Sequence, residues 1–223
     1  MVLLKLKAAC RLGIKYLLLG CTGIIFLYAC KVKEQPLPFY NTADFTAEWI
    51  NKNDPRYLLI HTIDTFSFYN QSGHIINKDS LDGHIYVANF FFTTCSGICP
   101  RMVNNLGAVA NAFSKNEQVK LVSFSVMPET DSVKRLYAYA QEHEINAKQW
   151  YLLTGNKEEI NHLGRQSYFS ERAPGLQKGS SDFLHTELML LVDKQSRIRG
   201  VYNATDTNHI KRVIEDIKTL LNE

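Results

Sequence analysis

Cysteine is scarce in this chain: there are five in 223 residues, and three of them, Cys10, Cys21 and Cys30, lie in the first thirty. Only Cys95 and Cys99 are left for the remainder, too few to staple a small secreted fold. The roughly 190 residues beyond the N-terminal segment suffice for one domain with an ample core, so stability does not require a disulfide. Acidic residues are absent from residues 1–29, which carry Lys5, Lys7, Arg11 and Lys15. Long apolar runs are also missing. The uncharged, mostly apolar stretch over residues 16–29 is about 14 long, short of the roughly 20 that a transmembrane helix needs. Neither sign of charge dominates once this segment is set aside, since 21 basic residues then face 22 acidic ones, a net charge of about −1. The apparent basicity therefore belongs to the N-terminal segment, and a nucleic-acid partner is disfavoured. The chain has no internal repeat and no low-complexity tract.

What is present at the N-terminus has export-signal composition: a basic start, a short apolar core and polar residues after Leu27-Tyr28-Ala29-Cys30. A small residue followed by cysteine resembles a bacterial lipobox, which implies cleavage before Cys30 and lipid attachment to it. Leu18-Leu19-Gly20-Cys21 fits the pattern too but leaves a strongly apolar segment after the cut, so Cys30 is preferred. An uncleaved signal anchor, with Lys15 snorkelling, is the alternative. Residues 1–29 thus read as a signal peptide or membrane anchor, and the domain as extracytoplasmic and membrane-tethered. Residues 30–56, with Pro36, Pro38 and Pro55, read as an extended tether. Its far end is expected to dock through Phe45, Trp49 and Ile50, which fall at helical spacing.

Residues 57–223 read as the folded domain. Residues 66–69 and 74–76 flank the turn signal Asn70-Gln71-Ser72-Gly73 and predict a hairpin leading into a buried central strand over residues 86–92. Further strands are expected at 119–126, 150–153, 188–192 and 198–202. Val133, Leu136, Tyr137 and Ala140 mark one helix face, Ile160 and Leu163 a short helix that Gly164 ends, and Ile210, Val213, Ile214, Ile217 and Leu221 a terminal amphipathic helix. Strands alternating with helices, plus a late hairpin, predict an α/β fold with a mixed sheet.

The chain is organised around residues 86–102. A β-prone aromatic run stops at Thr93, and Pro100 suits the first turn of a helix continued by Met102, Leu106, Val109 and Phe113. Cys95 and Cys99 therefore sit at a strand-to-helix loop, where free N–H groups and the helix dipole favour thiolate. Helical residues four apart have Cβ atoms about 5–6 Å apart, whereas a disulfide needs about 3.5–4.5 Å. The loop must tighten to oxidise the pair and relax to hold a metal between the sulfurs, and both states are accessible.

A cysteine pair after a buried strand suggests the thioredoxin superfamily, but the spacing here is Cys-x-x-x-Cys and a histidine follows in Asp182-Phe183-Leu184-His185-Thr186-Glu187. The sequence resembles the Sco/SenC family of copper-binding proteins. The likeness runs through Asn89-Phe90-Phe91-Phe92-Thr93-Thr94-Cys95 with Cys99-Pro100, Ser125-Val126-Met127-Pro128-Glu129-Thr130-Asp131, the segment from Trp150 to Gly155, and His185 with Leu191-Val192-Asp193. It spans residues 63–223. The resemblance implies a thioredoxin-like mixed sheet flanked by helices, with an N-terminal hairpin extension, and Cys95, Cys99 and His185 as copper ligands. Thiolates select Cu(I), and two sulfurs with one nitrogen give a three-coordinate site able to release metal. His61, His74, His84, His143, His162 and His209 have no such context and are read as solvated or structural.

Two departures stand out. Ser96-Gly97-Ile98 replaces the family's usual proline and aspartate between the cysteines, and Met127-Pro128 replaces its Asp-Pro. Each loses a carboxylate, a donor that favours Cu(II) over Cu(I), so weakened Cu(II) binding with Cu(I) retained is expected. Met127 offers a thioether but is expected to pack instead. The resemblance implies a metallochaperone that carries copper to the dinuclear centre of a respiratory cytochrome oxidase, its partner being the copper-bearing subunit. A thiol–disulfide oxidoreductase acting on that subunit's cysteines, with Cys95 and Cys99 as the redox pair, is the second reading. A copper or redox sensor is a third. Residues 171–181, with Pro174, Gly175 and Gly179, read as a loop beside His185 that contacts a partner.

Overall fold

In the computed structural model, which describes residues 36–170 and 186–223, the most apolar runs of the sequence pair side by side. In chain order the strands are β1 (Phe39–Tyr40), β2 (Ala47–Glu48), β3 (Ser67–Asn70), β4 (Ile75–Asn77), β5 (Ile85–Phe91), β6 (Val119–Ser125), β7 (Trp150–Thr154), β8 (Leu188–Val192) and β9 (Ile198–Asn203). The helices are α1 (Cys99–Ala112), α2 (Val133–Glu142), α3 (Lys157–His162) and α4 (Thr207–Asn222). The main sheet runs β4-β3-β7-β6-β5-β8-β9. β5, β6 and β7 are parallel, with Ile85 opposite Val119 through to Phe91 opposite Ser125, and the other pairings are antiparallel. This is the mixed, helix-flanked sheet expected from the sequence.

The three parallel strands lack a polar face because both faces are covered. On β5, Ile85, Val87 and Phe91 enter a core with Met102, Leu106 and Val109 of α1, Leu136 and Tyr139 of α2, and Val213 and Ile217 of α4. The alternate residues Tyr86, Ala88 and Phe90 enter a second core with Ile63, Phe68, Phe124, Ile160 and Tyr168. Asn89 is buried between them but satisfied, because Ser123 Oγ donates to its Oδ1 and Trp150 Nε1 donates to Ser123.

Three local expectations are corrected. Phe45, Trp49 and Ile50 form no helix. The chain there makes the β1–β2 antiparallel ribbon, Phe45 has a φ of 53°, and only Ile50 is buried while Trp49 stays 62% exposed. Gly164 does not end its helix, since a π-helical turn continues over Leu163–Ser167. The middle of the sheet is β6 rather than β5, because the β3–β4 hairpin adds to the far edge beside β7.

The ribbon is tied to the domain by buried charge. Arg199, nearly inaccessible, pairs with Asp193 and Glu223, donates to the carbonyls of Leu37 and Pro38, and lies over the Phe39 ring. Arg197 pairs with the same Asp193 and also covers Phe39. Unpaired, such burial of charge would be prohibitive; here each ion has several partners.

Candidate metal and redox centre

β5 ends at Phe91, and the loop after it is held by a buried carboxylate. Asp131 is fully inaccessible and accepts from the backbone N–H of Thr93 at 3.1 Å, from Thr93 Oγ1 and from Ser125 Oγ. Arg135 Nε adds a 3.1 Å bond to Thr93 Oγ1 from the other side. The root of the loop is thereby fixed two residues before Cys95. The chain then turns, with Cys95 N–H donating to the Phe92 carbonyl, and enters α1 at Cys99 with Pro100 in the first turn.

No side chain at the cap residue Ile98 satisfies the start of α1. The Cys95 sulfur takes that role. Burial pushes its thiol up, but hydrogen bonds from the Cys99 thiol and from the N–H groups of Cys99, Gly97 and Ile98 outweigh this, and its pKa lies below the ordinary thiol value. Cys99 goes the other way. Burial pushes its thiol up to about 12, helped by its hydrogen bond to Cys95 and by the negative charges of Cys95 and Asp131, with the Phe92 N–H opposing. The helix N-terminus thus does not lower both thiols, as position alone would predict; it lowers the one that points into it. Both cysteines are free, Cys95 half-buried and Cys99 buried.

This pair is what the sequence placed at the junction, and the structure brings the two sulfurs together. The expected third donor, His185, lies outside the described residues, as do Cys30, Cys10, Cys21 and the 171–181 loop. Among the described residues no group of three His, Cys, Asp or Glu is arranged to hold a metal ion. The donor chemistry that is present, one thiol ready to ionise and a second beside it, fits a soft cation. Tyr139, buried in the same core as Cys99 and in tilted ring contact with His143, has its phenol raised by burial and by the charges of Cys99, Cys95 and Asp131.

Other assignments follow from geometry. Met127 packs on the second core, as expected of a packing residue. His61 bonds the Ser167 carbonyl and makes a tilted ring contact with Phe169, His84 bonds the Asp82 carbonyl, and His209 Nδ1 accepts from the Asn203 N–H, so these are structural. The roles of Asp131, Thr93 and Arg135 were missed. The two sequence departures near the cysteines each lose a carboxylate; Asp131 is a further carboxylate, occupied by Thr93 and Ser125 and felt by the Cys99 thiol as negative charge. Its signal was weak: it was visible only as the last residue of a family-like segment, 38 residues from the Thr93 it anchors.

Comparison with known proteins gives a consistent result. A family model described as SCO1/SenC matches residues 58–222. A solved SCO1/SenC family lipoprotein from Bacillus anthracis str. Ames is 28% identical, with a TM-score of 0.63 over 73% of this chain and 96% of that one. BsSco, described as a member of the Sco family of cytochrome c oxidase assembly proteins with a disulfide switch, is 28% identical with a TM-score of 0.62, over 74% and 95%. The copper-bound ScoI of Arabidopsis thaliana is 25% identical with a TM-score of 0.54, over 70% and 97%.

Proposed function

Because the chain belongs to the SCO1/SenC family, we propose that it is a metallochaperone that holds copper at Cys95, Cys99 and His185 and delivers it to the dinuclear copper centre of a respiratory cytochrome oxidase. The observation that carries this reading is the cysteine pair itself, two adjacent free sulfurs at the end of a buried strand with one of them reachable from solvent. Cu(I) replaces the proton that Cys99 otherwise keeps, and the fixed loop root at Thr93 holds the sulfurs in place while the metal enters and leaves. The domain works outside the cytoplasm, tethered through a lipid on Cys30 or an uncleaved anchor.

The opposite displacement of the two thiols favours a second reading, a thiol–disulfide oxidoreductase. Cys95 as thiolate attacks a disulfide in the oxidase subunit, forming a mixed disulfide and releasing one substrate thiolate. Cys99 then loses its proton and attacks the Cys95 sulfur, releasing the second. The protein ends as a Cys95–Cys99 disulfide, and an external dithiol restores it. The two readings separate on one experiment. Cu(I)-loaded protein is mixed with the reduced, copper-free oxidase subunit, and metal-free reduced protein with the oxidised subunit. Appearance of the dinuclear copper spectrum in the first mixture supports the chaperone. Thiol release in the second without copper transfer in the first supports the oxidoreductase.

A further inference from the structure

Among the described residues six large hydrophobic side chains are left in water; Tyr69, Ile75 and Tyr137 are scattered, whereas Trp49, Leu58 and Leu59 fall in one short stretch of sequence. Leu58 and Leu59 are 89% and 81% exposed at the end of the 3-10 helix Pro55–Leu59, which buries no residue, and Trp49 is exposed nearby in sequence. Trp49 is not loose, because its Nε1 donates to the Pro36 carbonyl at 3.1 Å. Arg56 ties the two stretches, reaching both Asp54 and Glu48. An indole and two adjacent leucines exposed within eleven residues of sequence, among charges that balance (Glu48, Lys52, Asp54 and Arg56), have the composition of a segment that seats in a bilayer interface without needing anionic lipid.

The chain itself says what lies close by. On the reading that the protein is anchored at or just before Cys30, five residues separate Cys30 from Pro36, six Cα-to-Cα steps with a reach of about 20 Å fully extended. Trp49 is bonded to that very residue. We propose that Trp49, Leu58 and Leu59 form a bilayer-contact surface that lays the tethered end of the domain on the membrane interface. Trp49 shares the lining of a 730 Å³ cavity with Ile85, the first residue of β5, whereas Cys95 follows the far end of that strand. Seven residues of strand span about 20 Å, so the cysteine loop lies at the opposite end of β5 from the residue that shares a cavity with Trp49.

The test uses the full chain reconstituted into vesicles of zwitterionic phosphatidylcholine carrying brominated acyl chains. The protein has two tryptophans, and the other, Trp150, is buried in the core. Quenching of wild-type emission, little quenching in Trp49→Phe, and loss of quenching in Leu58→Glu/Leu59→Glu with unchanged flotation support the proposal. It is insensitive to salt. Flotation with the vesicles but no quenching of Trp49 overturns the proposal and leaves the anchor standing. Failure to float overturns the anchor and the proposal with it.

Discussion

Removing the Asp131 carboxylate is the sharpest test of how the cysteine loop is held. In Asp131→Ala three buried donors lose their acceptor: the Thr93 N–H, the Thr93 hydroxyl and the Ser125 hydroxyl. Each such loss costs about 1–3 kcal/mol, but the two hydroxyls rotate to other acceptors more readily than the fixed N–H does. The sum is therefore about 3–5 kcal/mol, at the upper end for a single substitution. For a domain of this size each kcal/mol moves Tm by about 2–4 °C, so a fall of roughly 6–20 °C is expected in thermal melts of the reduced protein. Asp131→Asn keeps the shape and part of the acceptor capacity, so it falls in between. Its loss of charge also brings the Cys99 thiol down from about 12, since Asp131 is one of the groups raising it. An Asp131→Ala protein with unchanged Tm and denaturant midpoint would refute the reasoning, for the carboxylate would then not hold the loop.

The thiols should label in order. Cys95 reacts with iodoacetamide from a pH below that of an ordinary cysteine while Cys99 resists until the pH approaches 12, and Cys99→Ala moves the Cys95 profile upward by removing its thiol donor. Mass spectrometry of each peptide against pH checks this, and equal profiles would contradict it. Arg199→Ala removes one partner from Asp193, which keeps Arg197, and the partner of the partly exposed Glu223, and frees the Leu37 and Pro38 carbonyls; a cost of about 2–3 kcal/mol is expected, read by urea denaturation. In Gly155→Ala a new Cβ lies 2.5 Å from Phe68 Cδ1, so a loss of about 1–3 kcal/mol is expected from the strain of moving that ring.

Elements buried on both faces were the most legible in the sequence. β5 and β6 show as apolar runs because neither of their faces meets water, and β8 was delimited to the residue. The α4 face was equally plain, since Ile210, Val213 and Ile217 repeat at helical spacing under one core. Phe45, Trp49 and Ile50 misled because three residues over one turn fit a helix or a ribbon equally, and what decides is the positive φ at Phe45. Gly164 misled because glycine's cost in a helix is small beside the burial of Leu163 and Tyr168 on either side. At the site, the cysteine pair was legible from local chemistry alone. The opposite displacement of its two thiols was not, because it depends on which sulfur faces the helix N-terminus and on a carboxylate that arrives from a distant loop. Asp193, Arg197 and Arg199 likewise gave no sign of their pairing in the sequence, because the ribbon that covers them comes from a distant part of the chain.

The central claim, that Cys95 and Cys99 hold copper together with His185, is tested most directly by an anaerobic Cu(I) titration of the reduced protein against a competing chelator, beside His185→Ala. The account predicts that the protein binds a single Cu(I) tightly and that the variant loses much of that affinity while keeping its thiol reactivity. Weak and equal binding by both would contradict it, and the oxidoreductase reading of the same cysteines would take its place.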